Sequence, residues 1–257
     1  MQTDDSPDAA LPHLGWPRRL LLVRHAQSVG NIAADRAYAE GASRLDLDVR
    51  DADVELSDTG RRQAESLGGW LESLAPADRP TAVLTSPYAR AADTARIALE
   101  ASGLDLDLRL DERLRERDLG ILDGLTGKGY AELYAEEAAR RRRTGKLYYR
   151  APGGESWSDV ALRVRSLLST MREEYAGERL LVVSHQAVVM SFRLVLEGLD
   201  ERTLLEIDSD TPLANCAVTR YDADDATGRP RLVAFGETTQ VGDDAAVTQE
   251  EPADEPA

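Results

Sequence analysis

Arg19-Leu20-Leu21-Leu22-Val23-Arg24-His25 decides how this chain is read, because a near-copy, Arg179-Leu180-Leu181-Val182-Val183-Ser184-His185, stands far downstream. Each is an unbroken apolar run that ends in a histidine. Unbroken runs mark strands covered on both faces, as in a parallel sheet, whereas a strand with one wet face alternates. A third run, Ala82-Val83-Leu84, leads through Thr85, Ser86 and Pro87 to Arg90. Ligands of open parallel sheets bind beyond the carboxyl ends of the strands. Three strand ends can therefore bring His25, His185, Arg24 and Arg90 to one crevice.

Helical patterns fill the intervals. From Asp58 to Leu74, Ala64, Leu67, Leu71 and Leu74 recur at spacings of three and four, with Ser57 as N-cap. Val160, Val164, Leu167, Leu168 and Met171 repeat the pattern between Ser156 and Tyr175, and Ser156 is again an N-cap. Near the end, Ala217 to Tyr221 and Arg231 to Phe235 flank a turn containing Asp225 and Gly228, which reads as a hairpin. The alternation predicts an α/β fold: a three-layer sandwich with a mainly parallel central sheet and helices on both faces. The stretch from Ile32 to Asp53, rich in Ala, Asp and Arg, reads as an insertion that either closes over the pocket as a lid or stays a solvated surface. One domain is expected over 18–236, between disordered tails at 1–17 and 237–257.

The 257 residues are 42% hydrophobic and 30% charged, enough to bury a core and incompatible with global disorder. A formal net charge of −16 opposes a nucleic-acid partner, whose phosphates require clustered Lys and Arg. The last stretch from Glu237 carries Asp243, Asp244, Glu250, Glu251, Asp254 and Glu255 without any Lys or Arg, so the remainder can still hold a positive pocket. Cys216, the single cysteine, excludes an internal disulfide or a Cys-rich zinc site and reads as a buried filler. With no targeting segment and no apolar run long enough for a membrane span, a cytoplasmic protein without membrane attachment is expected. Arg140 to Arg143 share a helical pattern with Glu132, Glu136 and Glu137 and read as a paired, solvated face.

Two imidazoles and two guanidiniums suit a phosphoryl group. Arg24 and Arg90 can grip its oxygens through charge-assisted hydrogen bonds, and their charge favours a neutral neighbouring histidine. Such a histidine can attack phosphorus and split one displacement into two, with no metal or cofactor required. Its second ring nitrogen needs a fixed partner, a backbone carbonyl by expectation. A carboxylic acid beside the bridging oxygen would assist an alkoxide leaving group by roughly 10²–10⁴-fold. Leu114-Arg115-Glu116-Arg117-Asp118-Leu119-Gly120 offers Glu116 and Asp118 without choosing between them.

Taken together, Leu22-Val23-Arg24-His25-Ala26-Gln27-Ser28 with Asn31, Leu56-Ser57-Asp58-Thr59-Gly60 with Gln63-Ala64, and Thr85-Ser86-Pro87 with Arg90 and Thr94-Ala95 form an ordered series. Glu116 with Gly120, Pro152-Gly153-Gly154-Glu155-Ser156, and Ser184-His185 complete it. The series resembles the histidine phosphatase superfamily, phosphoglycerate mutase-like, over about residues 18–222. The resemblance implies His25 as the phosphorylated nucleophile, Arg24, Arg90 and His185 as the phosphate pocket, Glu116 as proton donor, and Ser28 and Asn31 at the pocket's edge. Gln186, where the family usually has Gly, together with Tyr149 and Arg150, is similar to the fructose-2,6-bisphosphatase-like branch and implies sugar-phosphate contacts there. Two basic positions of that branch are Gly153 and Met190 in this chain. The expected activity is metal-independent hydrolysis of a small phosphate ester. A cofactor-dependent phosphoglycerate mutase, a phospho-ligand binding module and a protein phosphatase are the alternatives.

Overall fold

The computed structural model describes residues 15–248. These form six strands, β1 (Arg19–Arg24), β2 (Ala82–Thr85), β3 (Leu108–Leu110), β4 (Arg179–Ser184), β5 (Val218–Ala223) and β6 (Pro230–Glu237). Eight α-helices accompany them: α1 (Val29–Glu40), α2 (Asp58–Ser73), α3 (Ala89–Ser102), α4 (Gly127–Leu133), α5 (Ala135–Thr144), α6 (Trp157–Glu174), α7 (Gln186–Glu197) and α8 (Glu201–Asp210). All six strands share one sheet in the order β3-β2-β4-β1-β5-β6. The first four run parallel, and the β5–β6 hairpin closes one side antiparallel.

The apolar runs are unbroken because the sheet is covered twice. Leu20 and Leu22 of β1 join a core with Val164 and Leu167 of α6 and Val188 and Phe192 of α7. Leu21 and Val23 point the other way, into a second core with Leu67 and Leu71 of α2 and Ala91 and Ala95 of α3. The three-layer expectation holds. Helices α2 and α6 start at the predicted caps, where Ser57 accepts the Gly60 amide and Ser156 forms a capping box with Asp159.

Three expectations need correction. Gly15 donates to the Arg172 carbonyl and Trp16 packs on the first core, so order begins before residue 18. At the other end Val241 and Thr248 are buried, and the chain from Glu237 to Thr248 folds back against the sheet rather than trailing as a tail. The rest of both expected tails, His13 included, lies outside the described residues. The arginine-rich pattern breaks at Tyr134 into α4 and α5. Arg141 is buried there over the Tyr130 ring, at 6.0 Å, and is not one of a solvated set.

Register then positions the site. Arg24 lies opposite Ser184, and Thr85 opposite Val183, so His25, His185 and Ser86 each follow the end of adjacent strands. The start of α2 braces the turn after His25: Ser57 donates its amide to the Gln27 carbonyl at 3.0 Å, and the Gln63 side chain accepts the Gln27 amide at 2.8 Å. Gly60 is where this brace leaves no room, since a Cβ there would lie 2.0 Å from the Gln27 carbonyl oxygen. Gly69, on the same helix, has open space around it. Gly60→Ala is therefore expected to cost about 1–3 kcal/mol in urea unfolding, while Gly69→Ala stabilises by up to about 1 kcal/mol. Equal effects of the two substitutions would show that α2 does not press on this turn.

Candidate active site

His25 is wholly buried, and its backbone amide donates to the Ser184 carbonyl at 2.8 Å, tying the end of β1 to that of β4. Its two ring nitrogens have different partners. Nδ1 lies 2.7 Å from the Ala26 carbonyl, which can only accept, so Nδ1 carries the proton. Nε2 faces the Arg90 Nε–H at 3.2 Å, which can only donate, so Nε2 presents its lone pair. The imidazole is thus held neutral in one tautomer, with its basic nitrogen turned toward a guanidinium.

The His185 ring stands edge-on to it, with centroids 5.1 Å apart and planes at 62°. Ser86 holds Nε2 of His185 at 2.9 Å. Nδ1 of His185 is 4.0 Å from Oε2 of Glu116, whose other oxygen accepts the Arg117 amide at 2.7 Å. Tyr88 packs against His185 and under Arg90, and burial pushes its phenol up to about 12, so it remains a neutral wall. Among the described residues, no group of three or more His, Cys, Asp or Glu side chains could hold a metal ion.

A second set of contacts fixes the turn after β1. Thr94 of α3 accepts the Ala26 amide at 3.0 Å and donates to the Arg90 carbonyl at 2.6 Å, linking the turn to the helix that carries the guanidinium. Asn215 donates to the His25 carbonyl at 3.2 Å, and the Cys216 amide reaches the Arg24 carbonyl at 3.1 Å. Cys216 adopts a left-handed φ of 58°, a conformation that a side-chain-bearing residue keeps only where its surroundings hold it. Ser28 caps α1 and shares a capping box with Asn31.

Both arginines bind protein oxygens. Arg24 donates to the Leu213 carbonyl and to the carbonyl and hydroxyl of Thr248, at 2.9 and 3.0 Å for the latter two. Arg90 donates to the Asp51 carbonyl at 2.6 Å and meets the Asp51 carboxylate at 3.0 Å. A cavity of about 360 Å³ opens beside Arg90, with Ser28, Asn31, Asp51, Glu116 and Arg117 also in its lining.

The description "Histidine phosphatase superfamily (branch 1)" matches residues 20–238. The chain belongs to this superfamily. It is 34% identical over 214 residues to a bifunctional protein of Mycobacterium tuberculosis, a match covering 83% of this chain and 53% of the relative. The chain thus spans about half the length of that relative. It is 33% identical to a 2,3-bisphosphoglycerate-dependent phosphoglycerate mutase of Gloeobacter violaceus, covering 76% of this chain and 84% of the mutase. Among solved structures, mycobacterial glucosyl-3-phosphoglycerate phosphatase superposes with a TM-score of 0.64 at 27% identity, covering 86% of this chain and 99% of that one. No helix among the described residues is long and apolar enough to cross a membrane.

Within this member of the superfamily, His25, Arg90, His185 and Glu116 are brought together, Arg24 is held by Leu213 and Thr248, and Ser28 and Asn31 edge the cavity. Of the two candidate acids, Glu116 is buried beside His185, whereas Asp118 is exposed and accepts the Gly120 amide. Tyr149, Arg150 and Gln186 do not join the cavity lining. The Tyr149 hydroxyl donates to Glu137, Arg150 pairs with Asp159, and Gln186 donates to Asp208. Asp51, Thr94, Asn215 and Thr248 were not expected here, and Thr94 alone carried a signal, as part of an ordered motif.

Asp51 holds the donors that an incoming oxyanion needs. Asp51→Ala is expected to bind inorganic phosphate about tenfold more tightly in calorimetric titration, since a charge-assisted contact is worth roughly 1.5 kcal/mol. Unchanged or weaker binding would show that Asp51 does not compete for Arg90.

Proposed function

We propose that this chain is a phosphatase that hydrolyses a small phosphate monoester through a phosphohistidine on Nε2 of His25. The observation that carries the reading is the pair of partners on that ring: a carbonyl that fixes the proton on Nδ1, and a guanidinium beside the lone pair of Nε2. Similarity to a mycobacterial phosphatase at full coverage of its chain supports the same activity.

In the first step the phosphoryl oxygens replace Asp51 on Arg90, and Arg24, next to His25 in the chain, adds positive charge. The Nε2–P bond forms as the bond from phosphorus to the alcohol oxygen breaks. Glu116 gives its proton to that oxygen, so the alcohol leaves neutral. The positive charge that grows on the imidazole is met by the Ala26 carbonyl at Nδ1, and His185 lies against the transferring group. In the second step Glu116 takes a proton from water as its oxygen attacks phosphorus. The N–P bond breaks, and inorganic phosphate and neutral His25 are restored.

The mutase relative supports a second reading, in which the phosphoryl group passes from His25 to a bound acid instead of to water. A requirement for trace 2,3-bisphosphoglycerate would favour it. The narrower fructose-2,6-bisphosphatase-like reading draws no support from Tyr149, Arg150 and Gln186, each of which is engaged by a carboxylate of the protein.

Phosphate release from alkyl and aryl esters in EDTA tests the proposal. Wild type is expected to turn over and His25→Ala to fall to background on both. Glu116→Gln should lose about 10²–10⁴-fold in kcat on alkyl esters and much less on nitrophenyl esters, whose leaving group needs no proton. Activity surviving in His25→Ala, or an equal loss on both ester classes in Glu116→Gln, would contradict the assigned roles. Absence of turnover on any ester would favour a binding module.

A further inference from the structure

The cavity beside Arg90 has two kinds of lining. Six of its residues, Leu45, Leu47, Val49, Val54, Leu119 and Leu125, form an apolar wall. Leu45, Leu47 and Val49 of that wall come from the Ile32 to Asp53 stretch. Residues 45–50 read Leu-Asp-Leu-Asp-Val-Arg. Leu45, Leu47 and Val49 line the cavity, the two leucines half-buried and Val49 more exposed, while Asp46, Asp48 and Arg50 do not line it. Alternation of this kind sets one side of an extended segment apart from the other. A Cβ on Gly30 would lie 3.0 Å from Val54 and 3.8 Å from Leu47, so α1 is pressed against the same wall.

The segment is also fastened. Leu45 donates its amide to the Gly124 carbonyl at 2.9 Å, Thr126 donates its hydroxyl to the Ala42 carbonyl at 2.7 Å, and Arg44 bridges to Leu125. Gly129 of α4 approaches so closely that a Cβ there would lie 1.8 Å from the Ser43 carbonyl oxygen. The wall therefore stands next to the phosphate site before any ligand arrives.

We infer that the alcohol portion of the substrate is apolar, a phosphate monoester of a hydrophobic chain or ring rather than a sugar or glycerate carrying a second phosphate. A second phosphate would meet the leucines of the wall. The rest of the lining offers Arg44 and Arg117, but also the carboxylates of Asp51, Glu116 and Asp123. Burial, with the Asp51 carboxylate, raises the pKa of Asp123 above its ordinary value. The inference rests on the phosphatase reading and names the substrate class of that same site.

An alkyl phosphate series separates the wall from leaving-group chemistry, because ethyl, butyl and hexyl phosphate release alcohols of similar acidity. With wild-type protein, kcat/KM is expected to rise at least tenfold from ethyl to hexyl phosphate, mostly through KM, and to exceed the value for fructose bisphosphates and bisphosphoglycerate. Leu47→Asp and Val49→Asp should flatten the rise. Val49 is 54% exposed, so its variant tests the wall without endangering the fold. A flat series in the wild type, a preference for bisphosphates, or a slope that both variants keep would overturn the inference and leave the phosphatase reading intact. Failure to hydrolyse any ester would overturn the phosphatase reading and the inference with it.

Discussion

The hydrogen bond from Nδ1 of His25 to the Ala26 carbonyl is the contact on which the rest of the site depends. A histidine beside a guanidinium has several states available, and only one of them leaves a lone pair on the nitrogen that faces Arg90. Fixing the proton on Nδ1 selects it, because a backbone carbonyl cannot donate. The Ala26 carbonyl is itself held in place, since the Ala26 amide is bonded to Thr94 and the following residue to Gln63. Both helices that supply these braces lie on one face of the sheet, and the orientation of the ring is inherited from the packing of α2 and α3.

That dependence explains why the sheet is parallel where it matters. Adjacent parallel strands end at the same edge, and the register of β1 with β4 and β2 delivers two imidazoles and Ser86 to neighbouring positions without long loops. The antiparallel pair β5–β6 contributes differently. Asn215 and Cys216, just before β5, bond the backbone of Arg24 and His25 from below. Preorganisation of this kind keeps reacting groups from having to rearrange during the chemical step. In the structure described, the Asp51 carboxylate offsets the charge of Arg90, whereas Arg24 is held by neutral oxygens, the carbonyl and hydroxyl of Thr248.

Much of this was legible in the sequence because strand ends are easily read. His25, His185, Arg24 and Arg90 follow short apolar runs, and period and composition locate such runs well. Glu116 could be narrowed to two carboxylates, and only burial beside His185 separated it from Asp118. Tyr149, Arg150 and Gln186, expected to contact a sugar phosphate, are each engaged by a carboxylate. The chain has 47 acidic residues against 31 Lys and Arg, so a polar side chain, buried like Tyr149 or exposed like Arg150, finds a carboxylate at hand: Glu137, Asp159 or Asp208. Asp51 and Thr248 left no local signal, because their roles arise when distant segments meet Arg90 and Arg24. The charge count from Glu237 onward suggested a tail, whereas Val241 and Thr248 are buried by tertiary contacts that composition does not record.

The central claim is covalent. In a single turnover with an alkyl phosphate, stopped on the millisecond scale and kept alkaline for mass spectrometry, the account predicts one phosphoryl group per chain. It should map to His25, be attached at Nε2 and be lost on brief acidification. Turnover that proceeds with no such adduct at any time, or an adduct on another residue, would contradict it.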